Sequence, residues 1–267
     1  MVDKERLDVL MVQQGLFESR QKAQGAIMAG LVTVDGQLVD KPGTRFAREV
    51  DIQVQGQEHP YVSRGGLKLE QAIRELGFDP AGKVIIDIGA STGGFTDCAL
   101  QHGAQRVYAV DVGHAQLAWK LRQDQRVVVM ERTNARYLKA GDFPEQADAL
   151  TIDVSFISLA TILPPVVQLL RPGGEVVALI KPQFEAGRDQ VGKRGVVREK
   201  TVHRQVIGQV WEVASNLQLG LQGLTFSPIT GPEGNIEFLA WFKQGAVDLV
   251  TPESVEKIVE LAHGQLV

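Results

Sequence analysis

The chain has 267 residues, 44% hydrophobic and 22% charged, with a formal net charge of −4 at pH 7, so it cannot attract nucleic acid through overall charge. Its one cysteine excludes an internal disulfide, and no apolar run approaches the ~20 residues of a membrane span. Acidic residues near the start argue against a signal peptide, so we expect a cytoplasmic protein with no membrane partner.

Residues 1–57 predict a small α+β domain. The Asp35-Gly36 pair joins two short alternating segments and predicts a β-hairpin, and VDIQVQ predicts a further strand. Residues 58–66 are polar and interrupted by glycine and proline, which predicts a linker. Two short helices precede the hairpin, and the residues that favour their ends are Asp3, Gly15, Ser19 and Gly30.

Residues 67–267 predict a second, larger domain in which strands and helices alternate after an opening helix at 67–76. Such alternation indicates a parallel sheet with right-handed crossovers. No helix separates the last two strands, so we expect an antiparallel hairpin at one edge of the sheet. The predicted strands are Val84–Ile88, Val107–Val110, Val127–Met130, Ala149–Ile152, Glu175–Ile180, Leu221–Ile229 and Ile236–Phe242. The predicted helices are 94–102, 115–121, 158–170, 198–219 and 252–262.

This pattern gives the fold class: α/β, a Rossmann-like sheet beside a small N-terminal α+β domain. Seven strands that end in an antiparallel pair are typical of the class I methyltransferase sheet and less typical of a dehydrogenase. Cys98 lies in the first helix after the first large strand, where a small core residue is expected.

A glycine-rich turn follows the first strand of the second domain, in VIIDIGASTGGFTDCAL. Glycine has no Cβ, so a nucleotide can lie close to the backbone of such a turn. Asp111 ends the next strand about 20 residues on, where an acceptor for ribose hydroxyls is expected. The turn therefore predicts a site for an adenosine-containing cofactor.

The spacing of the turn favours S-adenosylmethionine over a nicotinamide dinucleotide. Ser91 occupies the third position, where a dinucleotide fingerprint needs glycine to admit a pyrophosphate. Asp87 precedes the turn, where the methionine end would be held, and Asn134 follows the third strand beside the expected adenine. A turn asparagine with no ligand is an equally good interpretation of Asn134. The predicted cofactor-binding residues are Asp87, Gly89, Ala90, Ser91, Thr92, Gly93, Gly94, Phe95, Asp111, Asn134 and Asp153.

Four ionisable residues stand where charged side chains are least expected, and they predict a site that methylates a hydroxyl. Two of them, Asp153 and Lys181, end central strands. Burial and a second cation lower the pKa of a lysine from its ordinary ~10.4, so Lys181 could take the hydroxyl proton. The paired carboxylates would orient the ammonium groups. The predicted catalytic residues are Lys68, Asp153, Lys181 and Glu237.

Other methylation chemistries fit less well. Amine methylation often uses an asparagine or aspartate followed by proline and an aromatic residue, whereas this chain has Asp153-Val-Ser-Phe156. Methylation of a base carbon needs a catalytic cysteine, and Cys98 is wrongly placed. No histidine cluster indicates a metal, so we expect a metal-independent reaction.

The segment from Val84 on, with its two lysines and two carboxylates, resembles the FtsJ-like ribose 2′-O-methyltransferases and their lysine–aspartate–lysine–glutamate tetrad. The stretch RLDVLMVQQGLFESRQKAQGAIMAGLVTVDG resembles the S4 RNA-binding domain. Joined in this order, with YVSRGGLKL between them and LIKPQFE downstream, they resemble the TlyA family, also called hemolysin A. That resemblance implies 2′-O-methylation of cytidines in ribosomal RNA by S-adenosylmethionine. The best-studied family members carry a tryptophan in the linker where this chain has Tyr61, so the linker's role in cofactor binding stays open.

Contact with ribosomal RNA, or with a ribosomal subunit, needs local basic patches, because the first sixty residues hold nine acids and seven Lys and Arg. A glycine-containing basic loop at 187–200 predicts a mobile flap over a phosphate backbone. Phe156 and Phe184 suit either base stacking or core packing. The predicted RNA-binding residues are Arg6, Arg20, Lys22, Lys41, Arg45, Arg64, Lys193 and Arg194.

Two other functions remain as alternatives at this point: a non-catalytic RNA-binding or ribosome-assembly factor, and a membrane-active hemolysin. The sequence leaves open the target nucleotide, the choice of one or both ribosomal subunits, and the oligomeric state.

Overall fold

A computed structural model describes residues 4–14, 16–17, 19–47, 50, 52–54 and 59–266. The chain divides into two compact units, residues 1–58 and residues 59–267. Asp3 and Gly15, predicted to cap and stop the first helix, lie outside the described residues.

The first unit packs two helices against short antiparallel strands. Buried Leu7, Leu10 and Ile27 from the helices meet Val32 and Val34 from the sheet in one apolar core. Its helices are α1 (Leu7–Gln13) and α2 (Arg20–Met28). Its strands are β1 (Lys4–Arg6), β2 (Val32–Val34), β3 (Gln37–Leu38), β4 (Arg45–Ala47) and β5 (Ile52–Val54).

Local sequence signals explain part of this unit. Ser19 caps α2 by accepting a hydrogen bond from the Lys22 N–H, as expected. Asp35 and Gly36 both have positive φ, 49° and 77°, which matches the twist of the β2–β3 hairpin. The pairing of β1 with β4 was not predicted, because KER carries no alternating apolar pattern.

The second unit is built on a seven-stranded sheet within residues 59–266. Its strands are β6 (Val84–Ile88), β7 (Arg106–Val110), β8 (Val127–Met130), β9 (Ala147–Ile152), β10 (Leu170–Ile180), β11 (Leu219–Phe226) and β12 (Phe238–Gln244). The strand order is β11-β12-β10-β9-β6-β7-β8. β6 to β10 are parallel, whereas β12 is antiparallel to both of its neighbours. The predicted fold class and the antiparallel edge pair are therefore confirmed.

Central strands such as β6 are buried along their whole length, which is why they read as continuous β-branched runs. Helices cover both faces of the sheet, and two apolar clusters form the core on either side. The helices are α3 (Gly65–Leu76), α4 (Gly94–Gln101), α5 (Trp119–Arg122), α6 (Leu159–Val167), α7 (Pro182–Glu185), α8 (Lys200–Asn216) and α9 (Pro252–Leu266).

One predicted helix is largely replaced by a loop. The sequence predicts a helix over 115–121, but α5 begins at Trp119. The backbone N–H groups of Ala115, Gln116 and Leu117 instead donate to the carboxylate of Glu131, which follows β8. Ala115 also has a positive φ of 57°, which a right-handed helix does not allow, so the Glu131 carboxylate holds this stretch as a loop.

Candidate active site

The glycine-rich turn between β6 and α4 is forced into conformations that favour glycine. Gly89 and Gly93 have φ of 86° and 100°. A Cβ at Gly89 would lie 2.4 Å from the carbonyl oxygen of Asp153, and one at Gly94 would lie 2.5 Å from Ser63 Oγ. The turn is therefore pressed against the segment after β9 on one side and against residue 63 on the other.

The residues before α3, predicted as part of a linker, are bound to the second unit. The Val62 N–H donates to Asp97 Oδ2 of α4 at 2.7 Å, and the buried Tyr61 hydroxyl donates to Glu70 Oε1 of α3 at 2.8 Å. Gly66 allows this packing, since a Cβ there would lie 2.3 Å from the Tyr61 ring. Burial is the main reason that the pKa of Tyr61 is raised.

Two predicted cofactor ligands support the turn rather than line its cleft. Asp87 is fully buried, and its two carboxylate oxygens accept hydrogen bonds from Thr96 at 2.6 Å and Thr151 at 2.8 Å. Burial raises the pKa of Asp87 to about 6. Asp111 accepts from the backbone N–H groups of Ser91 at 2.8 Å and Gly113 at 2.6 Å, and so ties the turn to the loop after β7.

The region after β8 gives a mixed result. Asn134 is half-buried, and its side-chain oxygen accepts a hydrogen bond from the Arg136 N–H at 3.1 Å, as in a turn asparagine. Glu131 was not predicted as a functional residue, yet it shapes the loop beside the glycine-rich turn and also pairs with Arg122. An acid that follows a strand is the only sequence signal it gives.

The four predicted catalytic residues come from four elements that meet at one edge of the sheet. Asp153 follows β9 and Lys181 follows β10, both at the carboxyl ends of parallel strands. Glu237 precedes β12, which runs the opposite way, so its amino end reaches the same edge. Lys68 lies in the first turn of α3. The expectation that Glu237 lies within the strand is corrected by one residue, since β12 begins at Phe238.

These residues form two ion pairs, each between a lysine and a carboxylate. Lys68 Nζ lies 2.5 Å from Glu237 Oε2, with the side chains 10% and 1% exposed. Lys181 Nζ lies 2.6 Å from Asp153 Oδ1, and it also donates to Ser155 Oγ at 3.0 Å. Each ammonium is thus compensated by a carboxylate, as a buried charge requires.

Both pairs open onto one cleft of about 310 Å³ beside the glycine turn. Lys68, Asp153, Lys181 and Glu237 all line it. The remaining lining residues are Ser63, Arg64, Gly65, Gly89, Ala90, Ser91, Thr92, Gly94, Phe95, Ser155 and Pro232. The volume suits a small ligand, and the lysines and carboxylates face it from the sheet edge and from α3.

An exposed aromatic residue stands next to the cleft. Phe156 is 89% exposed and has φ of 64°, a conformation rare for a residue with a bulky side chain. Its ring lies 5.0 Å from that of Phe184. This exposure excludes core packing for Phe156 and leaves base stacking as the interpretation that fits.

In the first unit, the predicted RNA-binding residues fall into two groups. Arg6 and Arg20 converge on the buried carboxylate of Asp8, at 2.9 Å and 3.0 Å. Hydrogen bonding to Arg6 is the main cause that lowers the pKa of Asp8. The other three, Lys22, Lys41 and Arg45, are exposed.

In the second unit, Arg64 is exposed at the cleft, and Lys193 and Arg194 are exposed on the 187–200 loop. Buried Asn235 holds this loop: its Oδ1 accepts from the Val197 N–H at 2.9 Å, and its Nδ2 donates to the Gly195 carbonyl at 2.8 Å. The end of the loop is therefore held by the segment that carries Glu237. The sequence predicted a mobile flap and did not predict this attachment.

Comparison with known proteins agrees with this geometry. Residues 61–244 match the FtsJ-like methyltransferase family, and residues 5–52 match the S4 domain. A Mycobacterium tuberculosis relative, 16S/23S rRNA (cytidine-2′-O)-methyltransferase TlyA, is 40% identical over 98% of this chain and 98% of its own length. The chain belongs to the TlyA family of FtsJ-like methyltransferases.

Other family members are closer in sequence. The Bacillus subtilis protein named "Putative rRNA methyltransferase YqxC" is 53% identical over 98% of this chain and 95% of its own length. A solved structure named "Putative hemolysin from Streptococcus thermophilus" is 48% identical, with a TM-score of 0.80, and covers 99% of this chain and 98% of its own. The family resemblance seen in the sequence is thus confirmed.

Across the part of the chain that the structure describes, no helix is long and apolar enough to cross a membrane. Among the same residues, no group of three or more histidine, cysteine, aspartate or glutamate side chains could hold a metal ion.

Proposed function

We propose that this protein transfers the methyl group of S-adenosylmethionine to the ribose 2′-hydroxyl of a cytidine in ribosomal RNA, and that it works in the cytoplasm. The observation that carries the proposal is the convergence of two lysine–carboxylate pairs on one cleft beside the glycine turn. The name of the Mycobacterium tuberculosis relative supports the same reaction and the same substrate class.

The residues of the turn fit the proposed cofactor. The cleft is small, and the turn lacks the glycine at position 91 that a pyrophosphate would need, but it keeps Gly89 and Gly94 where added side-chain atoms would clash. We assign six residues of the turn that line the cleft to direct contact: Gly89, Ala90, Ser91, Thr92, Gly94 and Phe95. Asp111 and Asn134, outside that lining, would lie toward the adenosine end. Asp87 would act indirectly, since it is buried beneath the turn and holds Thr96.

When bound there, S-adenosylmethionine supplies a methyl carbon to which the 2′-oxygen bonds while the carbon–sulfur bond breaks and its electron pair stays on sulfur. The Lys181 ammonium, paired with Asp153, first gives up one proton to solvent. The resulting neutral amine then takes the proton that the 2′-hydroxyl loses and becomes an ammonium group again beside Asp153. Lys68 and Glu237 line the same cleft and would hold the oxygen in line with the methyl carbon. A positioned base of this kind contributes roughly 10²–10⁴-fold to a rate.

RNA would reach the cleft through Arg64, which lines it, through Phe156 and through basic residues of the 187–200 loop. We assign Arg64, Lys193 and Arg194 to phosphate contacts, because all three are exposed. Phe156 offers a stacking surface for a base turned out of its helix, since the ribose oxygen can reach the methyl group only when the nucleotide leaves the stack. The S4 domain would supply further contacts through Arg6 and Arg20, which both pair with Asp8, and through Lys22, Lys41 and Arg45.

The test is methylation of purified ribosomal subunits with tritiated S-adenosylmethionine, followed by mapping of the labelled ribose. We expect label on a cytidine 2′-oxygen with the wild type and with Lys257→Ala, a control at an exposed lysine on α9. Lys181→Ala should bind RNA but transfer no label.

Each alternative predicts a different result. RNA binding without any label by the wild type would show a non-catalytic assembly factor. Lysis of red cells by the purified wild type, with no methylation, would show a hemolysin. Full activity of Lys181→Ala would overturn the assignment of the base.

A further inference from the structure

Ser155 is a cleft residue that the proposed chemistry has not yet used. Its Oγ accepts a hydrogen bond from Lys181 Nζ at 3.0 Å, and it lines the cleft. It lies two residues after Asp153, whose Oδ1 is the other partner of the same nitrogen at 2.6 Å. One short segment therefore supplies both of these acceptors to Lys181.

Two fixed acceptors determine where the lone pair of a neutral lysine points. A neutral primary amine has two N–H groups and one lone pair, arranged roughly tetrahedrally around nitrogen with the carbon. If Asp153 and Ser155 take the two N–H groups, the lone pair is directed away from both of them. With Asp153 alone, the amine can rotate about its carbon–nitrogen bond, and the lone pair spends part of its time pointing elsewhere.

The segment that carries Ser155 is itself held in place. Glu185, at the end of α7, accepts hydrogen bonds from Ser158 Oγ at 2.5 Å and from the Leu159 N–H at 2.8 Å. Phe156 turns the chain with a positive φ of 64° immediately after Ser155. Because α7 follows Lys181 directly, the same acid links the strand end that carries the lysine to the segment that carries its acceptors.

We propose that Ser155 is a positioning residue, which aims the lone pair of Lys181 at the ribose 2′-hydroxyl. The inference rests on the proposed function, in which Lys181 Nζ accepts the hydroxyl proton as the oxygen–methyl bond forms. Ser155 neither gains nor loses a proton overall; it holds one N–H of the amine before transfer and one N–H of the ammonium after it.

The experiment compares Ser155→Ala with Ser155→Thr in single-turnover methylation of ribosomal subunits. Alanine removes the acceptor, and we expect the single-turnover rate to fall roughly tenfold, a part of what a positioned base supplies. The KM values for RNA and cofactor should stay within about twofold, because the acceptor acts only on the lysine. Threonine keeps the hydroxyl at an exposed position and should restore the rate. Ser215→Ala, at an exposed position of α8, is the matched control.

Each outcome decides for or against the inference. Equal rates for the alanine, threonine and wild-type proteins would overturn it while leaving the proposed function intact. A loss that appears in the KM values, or that threonine does not restore, would show a structural role instead. Should the alanine variant not fold, Ser155→Cys, with its weaker acceptor, must give an intermediate rate. A wild type without activity would mean that the proposed function itself has failed.

Discussion

Glu237→Gln tests how much the buried Lys68 ammonium depends on its carboxylate partner for the stability of the fold. Glutamine keeps the size of the side chain but leaves the Lys68 ammonium, 10% exposed, without a carboxylate. Breaking one side of a buried pair costs about 3–5 kcal/mol, and we expect about 3 because the amide oxygen still accepts a hydrogen bond. For the second unit, residues 59–267, a loss of this size lowers Tm by roughly 6–12 °C.

The double variant Lys68→Met, Glu237→Leu removes both charges and should recover most of the lost stability, because a well-packed apolar pair replaces a buried ion pair at little cost. It should nevertheless be inactive. Urea unfolding followed by tryptophan fluorescence measures this unit alone, since Trp119, Trp211 and Trp241 are the protein's three tryptophans and all lie in residues 59–267.

The control is Glu256→Gln, which breaks a surface ion pair with Arg204. The side chains of Glu256 and Arg204 are 64% and 33% exposed. Its effect should be below about 0.5 kcal/mol. Two results would contradict a buried ion pair here: a Glu237→Gln variant no less stable than this control, or a double variant less stable than Glu237→Gln.

Gly94→Ala should abolish binding of S-adenosylmethionine in calorimetry, because its Cβ would lie 2.5 Å from Ser63 Oγ and 2.8 Å from the backbone nitrogen of Gly66, which displaces the turn. Gly208→Ala, with nothing within 4 Å of its Cβ, should bind normally and gain up to about 1 kcal/mol of stability. Burial raises the pKa of Asp87 from 3.8 to about 6, so its contribution to stability is full below pH 3.8 and is lost as pH rises through 6. Relative to Asp87→Asn, the unfolding free energy of the wild type should therefore fall by about 2 kcal/mol between pH 4 and pH 7 in urea titrations. A difference between the two proteins that does not vary with pH would contradict this.

The features that the sequence predicted well are those with a local cause. Strand β6 and the turn after it were predicted from consecutive residues, because β-branched runs and glycines act where they stand. Asp153 and Lys181 were brought together by a general rule, since parallel strands end at one edge of a sheet. Their roles in the reaction stay predictions until variants are assayed.

The features that the sequence did not predict depend on distant partners. The helix expected at 115–121 was shortened by Glu131, an acceptor that no local pattern reveals. Ser155 gave no signal, because one serine in a loop is common and its importance comes from the position of Lys181. Asp87 was expected to face the ligand, but two threonines enclose it.

The strand order has a consequence for synthesis on the ribosome. β12 lies between β10 and β11, although both precede it in the chain, so β11 cannot join the sheet until residues 238–244 have emerged. Lys68 likewise waits for a carboxylate 169 positions downstream. A nascent chain that stops short of this strand holds an unpaired ammonium and an unfinished sheet, so methylating competence arises only once nearly the whole polypeptide has been made.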